Sequence, residues 1–402
     1  LFAALPALFL SAPFFSTLRH LHIDRDLIYR LEEEYLNRKS PRRKRMLWFS
    51  DTIDDLNGVA VTMKQMMRTA KKYDRHVRLA VSDPEACIED DIRDHIVKLP
   101  SVYSFKPDFY DVYSMNFPSI LKSLEIIYHE HPDEIVISTP GPVGILGLIA
   151  GHLLGIPCRG IYHTDFTVQA DLLLGDETVT TLAENYTRWF YSFMDEIKVP
   201  TNHYIQMLTE RGYDREKMTI FKRGIDVETF RYTEVRQKQI REKYGIADGF
   251  TLLWTGRVSK DKNVDFMADV YKEIVKEYDD VNLIVAGIGP ALGELKTMLK
   301  GYPRAVFTGR LDREELPNYY SLADLFLFPS TVDTFGMVIL EAQSCGLPAL
   351  VTDVGGPQEI IEDKKTGFVL PAFDIDAWVG SVRHMIRIKQ AEPGLYRRVR
   401  ER

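Results

Sequence analysis

From residue 46 onward the chain alternates short, nearly unbroken apolar runs with longer stretches of helical spacing. The runs MLWFS (46–50), VRLAVS (77–82), EIVIST (134–139), CRGIYH (158–163), EIKVP (196–200) and MTIFK (218–222) predict strands buried on both faces, since a strand with one solvated face would alternate. A second series has the same character: TLLWTG (251–256), VNLIVAG (281–287), AVFTG (305–309), LFLFPS (325–330), PALVTD (348–353) and GFVL (367–370). Each run is followed by a helix-like stretch. Parallel strands need helical crossovers, so the pattern predicts an α/β protein of two doubly wound, Rossmann-like domains facing each other across a cleft. The polar stretch VETFRYTEVRQKQIREKYGIADG (227–249) separates the two series and holds the expected hinge. The expected divisions are an extension over 1–45, a first domain over 46–228 and a second over 229–402. No period of a repeat protein runs through the chain; the halves repeat an architecture, not a sequence.

At 402 residues the chain is long for one core, which agrees with two domains. Its formal charge of −7 argues against a general nucleic-acid binder and means that any anionic ligand must be met locally. Cys87, Cys158 and Cys345 stand far apart and in no metal-binding spacing, so a reducing, cytoplasmic setting is expected, without structural zinc. The opening LFAALPALFLSAPFFSTL has no charge but carries Pro6 and Pro13. It reads either as a membrane-span remnant or as the packed tail of an upstream segment. The run RKSPRRKR (38–45) places six cations in eight residues, which suits a solvated linker and also an anionic membrane surface.

Three stretches bear chemistry. In TLLWTGRVSKDKN the expected strand ends at Gly256, and the loop behind it carries Arg257 and Lys262. A planar fork of donors beside a compact charge suits adjacent phosphates, whereas cations alone would suggest only a basic loop. In DTIDDLNGVAVTM, Asn57 and Gly58 fall where a helix starts, a place where backbone N–H groups and the helix dipole favour an anion. In STVDTFGMVILEAQSCGLPALVTDVGGPQE, Asp333 ends a loop, Gly336 permits close backbone approach, and Glu341 interrupts an apolar run. Asp333 is equally a helix cap or a ligand contact. A carboxylate at a core position such as Glu341 requires a donor partner, such as ribose hydroxyls.

Together GRVSKDKN, DTFGMVILEAQSCGLP and VGGPQEII resemble the donor-binding half of glycosyltransferase family 4, the retaining, GT-B-fold transferases that use nucleotide sugars. NGV (57–59), YHTDF (162–166) and RGIDVETF (223–230) extend the resemblance over about residues 46–390. It implies an acceptor-side first domain and a donor-binding second one. Arg257 and Lys262 would hold the donor diphosphate, with Asn57 and Gly58 supplying backbone contacts. Glu341 would bind the ribose, and Asp333 with the backbone of Phe335, Gly336, Met337 and Val338 would bind the sugar hydroxyls and distal phosphate. His163 of YHTDF matches a histidine near the sugar, where the residues alone suggest a satisfied histidine at a strand end. The family commonly has Glu where this chain has Asp333, and its pattern continues past RRVRER, where the sequence stops.

The resemblance implies glycosyl transfer with retention from a UDP- or GDP-sugar, with ADP equally open, and with no cofactor and no metal. The variants of YHTDF and DTFGMVILEAQ are similar to branches acting on diacylglycerol or phosphoinositide acceptors, the glucosyl-, mannosyl- and sulfoquinovosyl-lipid transferases. A lipid acceptor and peripheral association of the N-terminal region with the inner face of a membrane are therefore expected; soluble sugar acceptors remain an alternative. A sugar-nucleotide epimerase of the same fold and a non-catalytic nucleotide-sugar-binding subunit are the competing functions. A nicotinamide-binding pair is disfavoured, because the only GxGxxG look-alike, AGIGPALG (286–293), follows no first strand.

Overall fold

The computed structural model describes residues 5–36, 44–53, 58–106 and 114–391. The chain forms two compact units, one of residues up to Val199 with Leu208–Phe221 and the other of Pro200–Met207 with Lys222 onward.

The first unit opens with α1 (Leu5–Leu36), which packs against α4, and continues through β1 (Met46–Phe49), α2 (Gly58–Lys72), β2 (Val77–Val81) and β3 (Ile96–Lys98). A hairpin of β4 (Ser101–Phe105) and β5 (Met115–Pro118) precedes α3 (Ile120–Glu130), β6 (Glu134–Ile137), α4 (Pro142–Leu154) and β7 (Cys158–Ile161). Then come α5 (Phe166–Leu174), α6 (Glu177–Ser192), β8 (Glu196–Val199), α7 (Asn202–Glu210) and β9 (Met218–Ile220). The main sheet is parallel, in the order β3-β2-β1-β6-β7-β8-β9. Buried Met63 and Met67 of α2 meet Trp48, Leu79 and Val136 on one face of this sheet.

The second unit contains α8 (Gln237–Tyr244), β10 (Phe250–Thr255), α9 (Val264–Val275), β11 (Val281–Ala286), α10 (Leu292–Met298) and β12 (Ala305–Gly309). It closes with α11 (Leu316–Leu322), β13 (Leu325–Phe328), α12 (Met337–Ser344), β14 (Ala349–Thr352), β15 (Gly367–Leu370) and α13 (Ile375–Ala391). Its parallel sheet runs β12-β11-β10-β13-β14-β15. Successive residues of β10 serve opposite cores: Leu252 and Trp254 pack with α9 and α13, and Leu253 with α11 and α12. That alternation is what a doubly wound sheet requires.

Every strand expected from the apolar runs is present. The additions are β3, the β4–β5 hairpin and α1. The hairpin escaped the pattern because β4 is exposed on both faces, so no continuous apolar run marks it. The opening segment forms a single helix from Leu5 with Pro13 inside it, and no helix among the described residues is long and apolar enough to cross a membrane. Of the basic run, residues 38–43 lie outside the described residues, while Lys44 pairs with buried Glu134 and the Arg45 N–H donates to Asp133.

At the end of β1, buried Asp51 holds the start of α4. Its carboxylate accepts from the Val143 N–H at 2.8 Å and the Thr139 hydroxyl at 2.5 Å. Burial raises its pKa from 3.8 to about 6 against those hydrogen bonds. A raised carboxyl pKa means that the folded state binds the proton more tightly than the unfolded state. The associated stability is therefore fully present below about pH 4 and is lost as the pH rises through about 6. The shift corresponds to roughly 3 kcal/mol. Urea denaturation of wild type and Asp51→Asn across pH 4–7 should show a stability difference that changes by this order; parallel curves would contradict the assignment.

Candidate active site

In the second unit the strand order reverses between β10 and β13, since β10 leads outward to β11 and β12 while β13 begins the opposite half. The loops after two such strands part at their carboxyl ends, the general position for ligands in open α/β sheets. These loops are 256–263 and 329–336, and they carry most of the residues singled out in the sequence. Asn263 ties them together: it takes a left-handed conformation, and its side-chain amide donates to the Pro329 carbonyl at 2.9 Å and to Thr331 Oγ1 at 3.3 Å.

Lys262 ends a 3₁₀ turn (Lys260–Lys262), and its Nζ donates to Asp333 Oδ2 at 2.8 Å. Arg257 Nη2 reaches Asp261 Oδ1 at 3.5 Å, and Asp261 Oδ2 lies 3.9 Å from Lys262 Nζ. Two cations and two carboxylates thus form one partly exposed set, in which the residues expected on phosphate and on sugar already touch. Asp333 does not cap α12. Gly336 stands at that position, with φ of 93°, and a Cβ there would lie 2.9 Å from Ile339 Cδ1 and 3.2 Å from Pro357 Cγ. Beyond it Met337 and Val338 open the helix, whose first N–H groups have no intrahelical acceptor. The Gly356 N–H holds the same loop through the Asp333 carbonyl at 3.0 Å. Phe335 lies under the Arg223 guanidinium, 5.2 Å from its ring centre.

Glu341 is buried on α12, and the donors it requires come from the protein: Arg313 Nη1 at 2.9 Å to Oε1 and the Tyr320 hydroxyl at 3.3 Å to Oε2. Burial raises its pKa, while Arg313 and Tyr320 act against that rise. Asp333 lies in the loop and Glu341 on the helix that follows it. Sequence reasoning missed Asn263, Arg313 and Tyr320. The signal for the latter two was Glu341 itself, whose core position demanded partners without naming them.

In the first unit Asn57 lies outside the described residues, and Gly58 begins α2, where a Cβ would meet nothing within 4 Å among the described residues. His163 follows β7 and is 5% exposed, with Nε2 3.2 Å from Ser138 Oγ and its ring edge-on to Phe221. Ser138 Oγ in turn accepts from Trp48 Nε1 at 2.6 Å. The His163 ring is thus partnered by Ser138 and Phe221 at the end of β7. The rest of YHTDF is pinned by Asp165, which accepts from the Val168 N–H and pairs with Arg211 at 3.0 Å.

Residues 56–229 match Glycosyltransferase Family 4, and residues 236–402 match glycosyl transferases group 1. The chain belongs to these glycosyltransferases. It is 29% identical over 331 residues to alpha-monoglucosyldiacylglycerol synthase of Streptococcus pneumoniae, covering 79% of this chain and 73% of that protein. It is 26% identical over 304 residues to the sulfoquinovosyl transferase SQD2 of Arabidopsis thaliana, covering 74% and 58%. A GDP-mannose-dependent alpha-mannosyltransferase of Mycolicibacterium smegmatis is 28% identical over 260 residues, covering 63% and 65%. The structure of Anabaena HepE in complex with UDP and glucose superposes with a TM-score of 0.69 at 17% identity over 89% of this glycosyltransferase and 94% of HepE. A sucrose-phosphate synthase from Thermosynechococcus elongatus gives 0.70 at 19% identity over the same shares. The fold of this family member is therefore GT-B.

Gly336→Ala should destabilise the glycosyltransferase by about 1–3 kcal/mol, the usual cost of holding a non-glycine residue in the left-handed region. Chemical denaturation measures it, and an unchanged midpoint would show that the loop can relax around a Cβ.

Proposed function

We propose that this chain transfers a glycosyl group from a nucleoside diphosphate sugar to a hydroxyl of a lipid or glycolipid, with retention at the anomeric carbon. The observation that carries the reading is the Lys262–Asp333 contact at 2.8 Å, beside Arg257 and the start of α12, where the strand order reverses. It brings cations, a carboxylate and the first N–H groups of a helix to one small region. That is the set needed for a ligand that carries both phosphate and hydroxyl groups.

In this reading Arg257 and Lys262 bind the diphosphate and stabilise the charge that develops as it leaves the anomeric carbon. The N–H groups of Met337 and Val338, presented by Gly336 and Phe335, take the distal phosphate. Asp333 accepts from sugar hydroxyls and Glu341 from the ribose. In the first unit Gly58, with Asn57, offers backbone contacts to the donor, and His163 acts near the sugar. The departing phosphate oxygen takes the acceptor proton on the face it leaves, which gives retention without a protein nucleophile. No metal is needed in this scheme.

The lipid class rests on a relative named for the synthesis of alpha-monoglucosyldiacylglycerol. Two of the relatives are named for an alpha product, the configuration that retention preserves from an α-linked donor. The donor nucleotide is UDP or GDP, supported by the UDP complex of a structural neighbour and by the GDP-mannose-dependent relative. Action on a lipid acceptor places the work at a membrane surface, with the N-terminal region and its basic run in contact with anionic headgroups.

Calorimetry with UDP, GDP, ADP and their sugar conjugates, followed by transfer assays on lipid acceptors in vesicles, tests this function. Lys262→Ala should weaken binding of every nucleoside diphosphate alike and lower turnover by on the order of 10²-fold; near-wild-type kinetics would overturn the diphosphate assignment. Gly58→Ala separates folding from function. No atom of the described residues stands where its Cβ would go, so its stability should match wild type within about 0.5 kcal/mol while donor affinity falls. Unchanged affinity would remove Gly58 from the site.

A further inference from the structure

Glu341 is held by a closed ring of contacts. Its Oε1 accepts from Arg313 Nη1 at 2.9 Å, and the Arg313 guanidinium lies over the Phe230 ring, 4.6 Å from its centre. Phe230 is fully buried, and its carbonyl accepts from the hydroxyl of Ser344, which stands on α12 with Glu341. Arg313 therefore cannot swing away without unstacking from a ring that is anchored to the same helix. On the other side Oε2 accepts from Tyr320, whose hydroxyl lies 3.1 Å from Thr255 Oγ1 at the end of β10. Phe230 and Tyr320 are also neighbours, with ring centres 6.3 Å apart.

A carboxylate oxygen has two acceptor positions. With one on each oxygen already taken, one on each remains, and two adjacent acceptors match a vicinal diol. We propose that Arg313 is a positioning residue for the donor nucleotide: by fixing one oxygen of Glu341 it sets the carboxylate to receive both ribose hydroxyls. The inference rests on the proposed glycosyl transfer and assigns a role in it to a residue that no sequence motif marked.

Arg313 also keeps a positive charge beside a carboxylate whose burial favours the neutral acid. The other ionisable groups facing the cluster are Tyr320 of α11, itself pushed well up by burial and by Glu341, Cys345 just past α12, and Asp226, which feels the Arg313 charge. Without the guanidinium, which opposes the effect of burial, Glu341 should hold its proton to a higher pH than in the wild type. One oxygen then becomes a donor, and the paired acceptors are lost.

The test compares binding of UDP or GDP, whichever the wild type prefers, with its 2′,3′-dideoxy analogue by calorimetry over pH 6–9. Wild type should favour the ribose form by on the order of tenfold or more, the worth of a hydrogen bond to a charged group, at every pH. Arg313→Gln should weaken that preference, and more so as the pH falls, while Arg313→Lys, which keeps the charge, should hold it throughout. A purely structural role would weaken both ligands alike at all pH values, and that result, or no effect of R313Q, overturns the proposal. If R313Q does not fold, Glu341→Gln carries the test. It should abolish the diol preference at every pH, and a retained preference overturns the proposal. Failure of the wild type to bind any nucleoside diphosphate would instead overturn the glycosyl-transfer reading itself.

Discussion

Parallel strands cannot be joined by tight turns, so each connection must cross back over a face of the sheet, and every strand then ends at the same edge. In the second unit this forces the loops after β10 and β13 to leave one edge side by side and part where the strand order reverses. The remaining features of the candidate site follow from that constraint. The cations of the first loop and the carboxylate of the second come within hydrogen-bonding distance only because β10 and β13 are paired, Leu252 with Leu325 and Leu253 with Phe326. Asn263 then fixes the separation of the loops through two hydrogen bonds to the second.

Buried carboxylates show how the cores accommodate charge. Each would be costly alone, and each is met by donors brought from distant sequence. Asp324, just before β13, accepts from the Thr251 N–H and from Lys389 of α13, binding the sheet to its closing helix. Asp51 accepts from the start of α4, and Glu341 from Arg313 and Tyr320. Asp324 and Asp51 are spent on the fold. Glu341 sits beside the end of β10 through Tyr320 and Thr255, so its remaining acceptor positions stand near the loop that carries the cations.

The strands were legible because burial on both faces leaves no polar alternation, as in LLW and LIV. The hairpin was not, since exposed Val102, Tyr103 and Phe105 look like neither a core run nor a loop. Within the candidate site, position in a loop after a strand singled out Arg257, Lys262 and Asp333, and interruption of an apolar run singled out Glu341. Their pairings were invisible. Lys262 and Asp333 are 71 residues apart, and Arg313 reaches α12 from a turn before α11 with no spacing rule to link them. Such contacts depend on strand order, and a single sequence states the strands without their order.

An acidic chain can keep two cations close together because Asp261 and Asp333 neutralise them in place, so the set of Arg257, Asp261, Lys262 and Asp333 is balanced as folded. A diphosphate arriving at Lys262 must compete with Asp333 and leave that carboxylate short of a donor. A bare nucleotide offers nothing in return, whereas a sugar attached to the same diphosphate brings hydroxyl donors to the carboxylate it displaces. On the proposed function, the contact between Lys262 and Asp333 therefore favours the complete donor over the spent nucleotide.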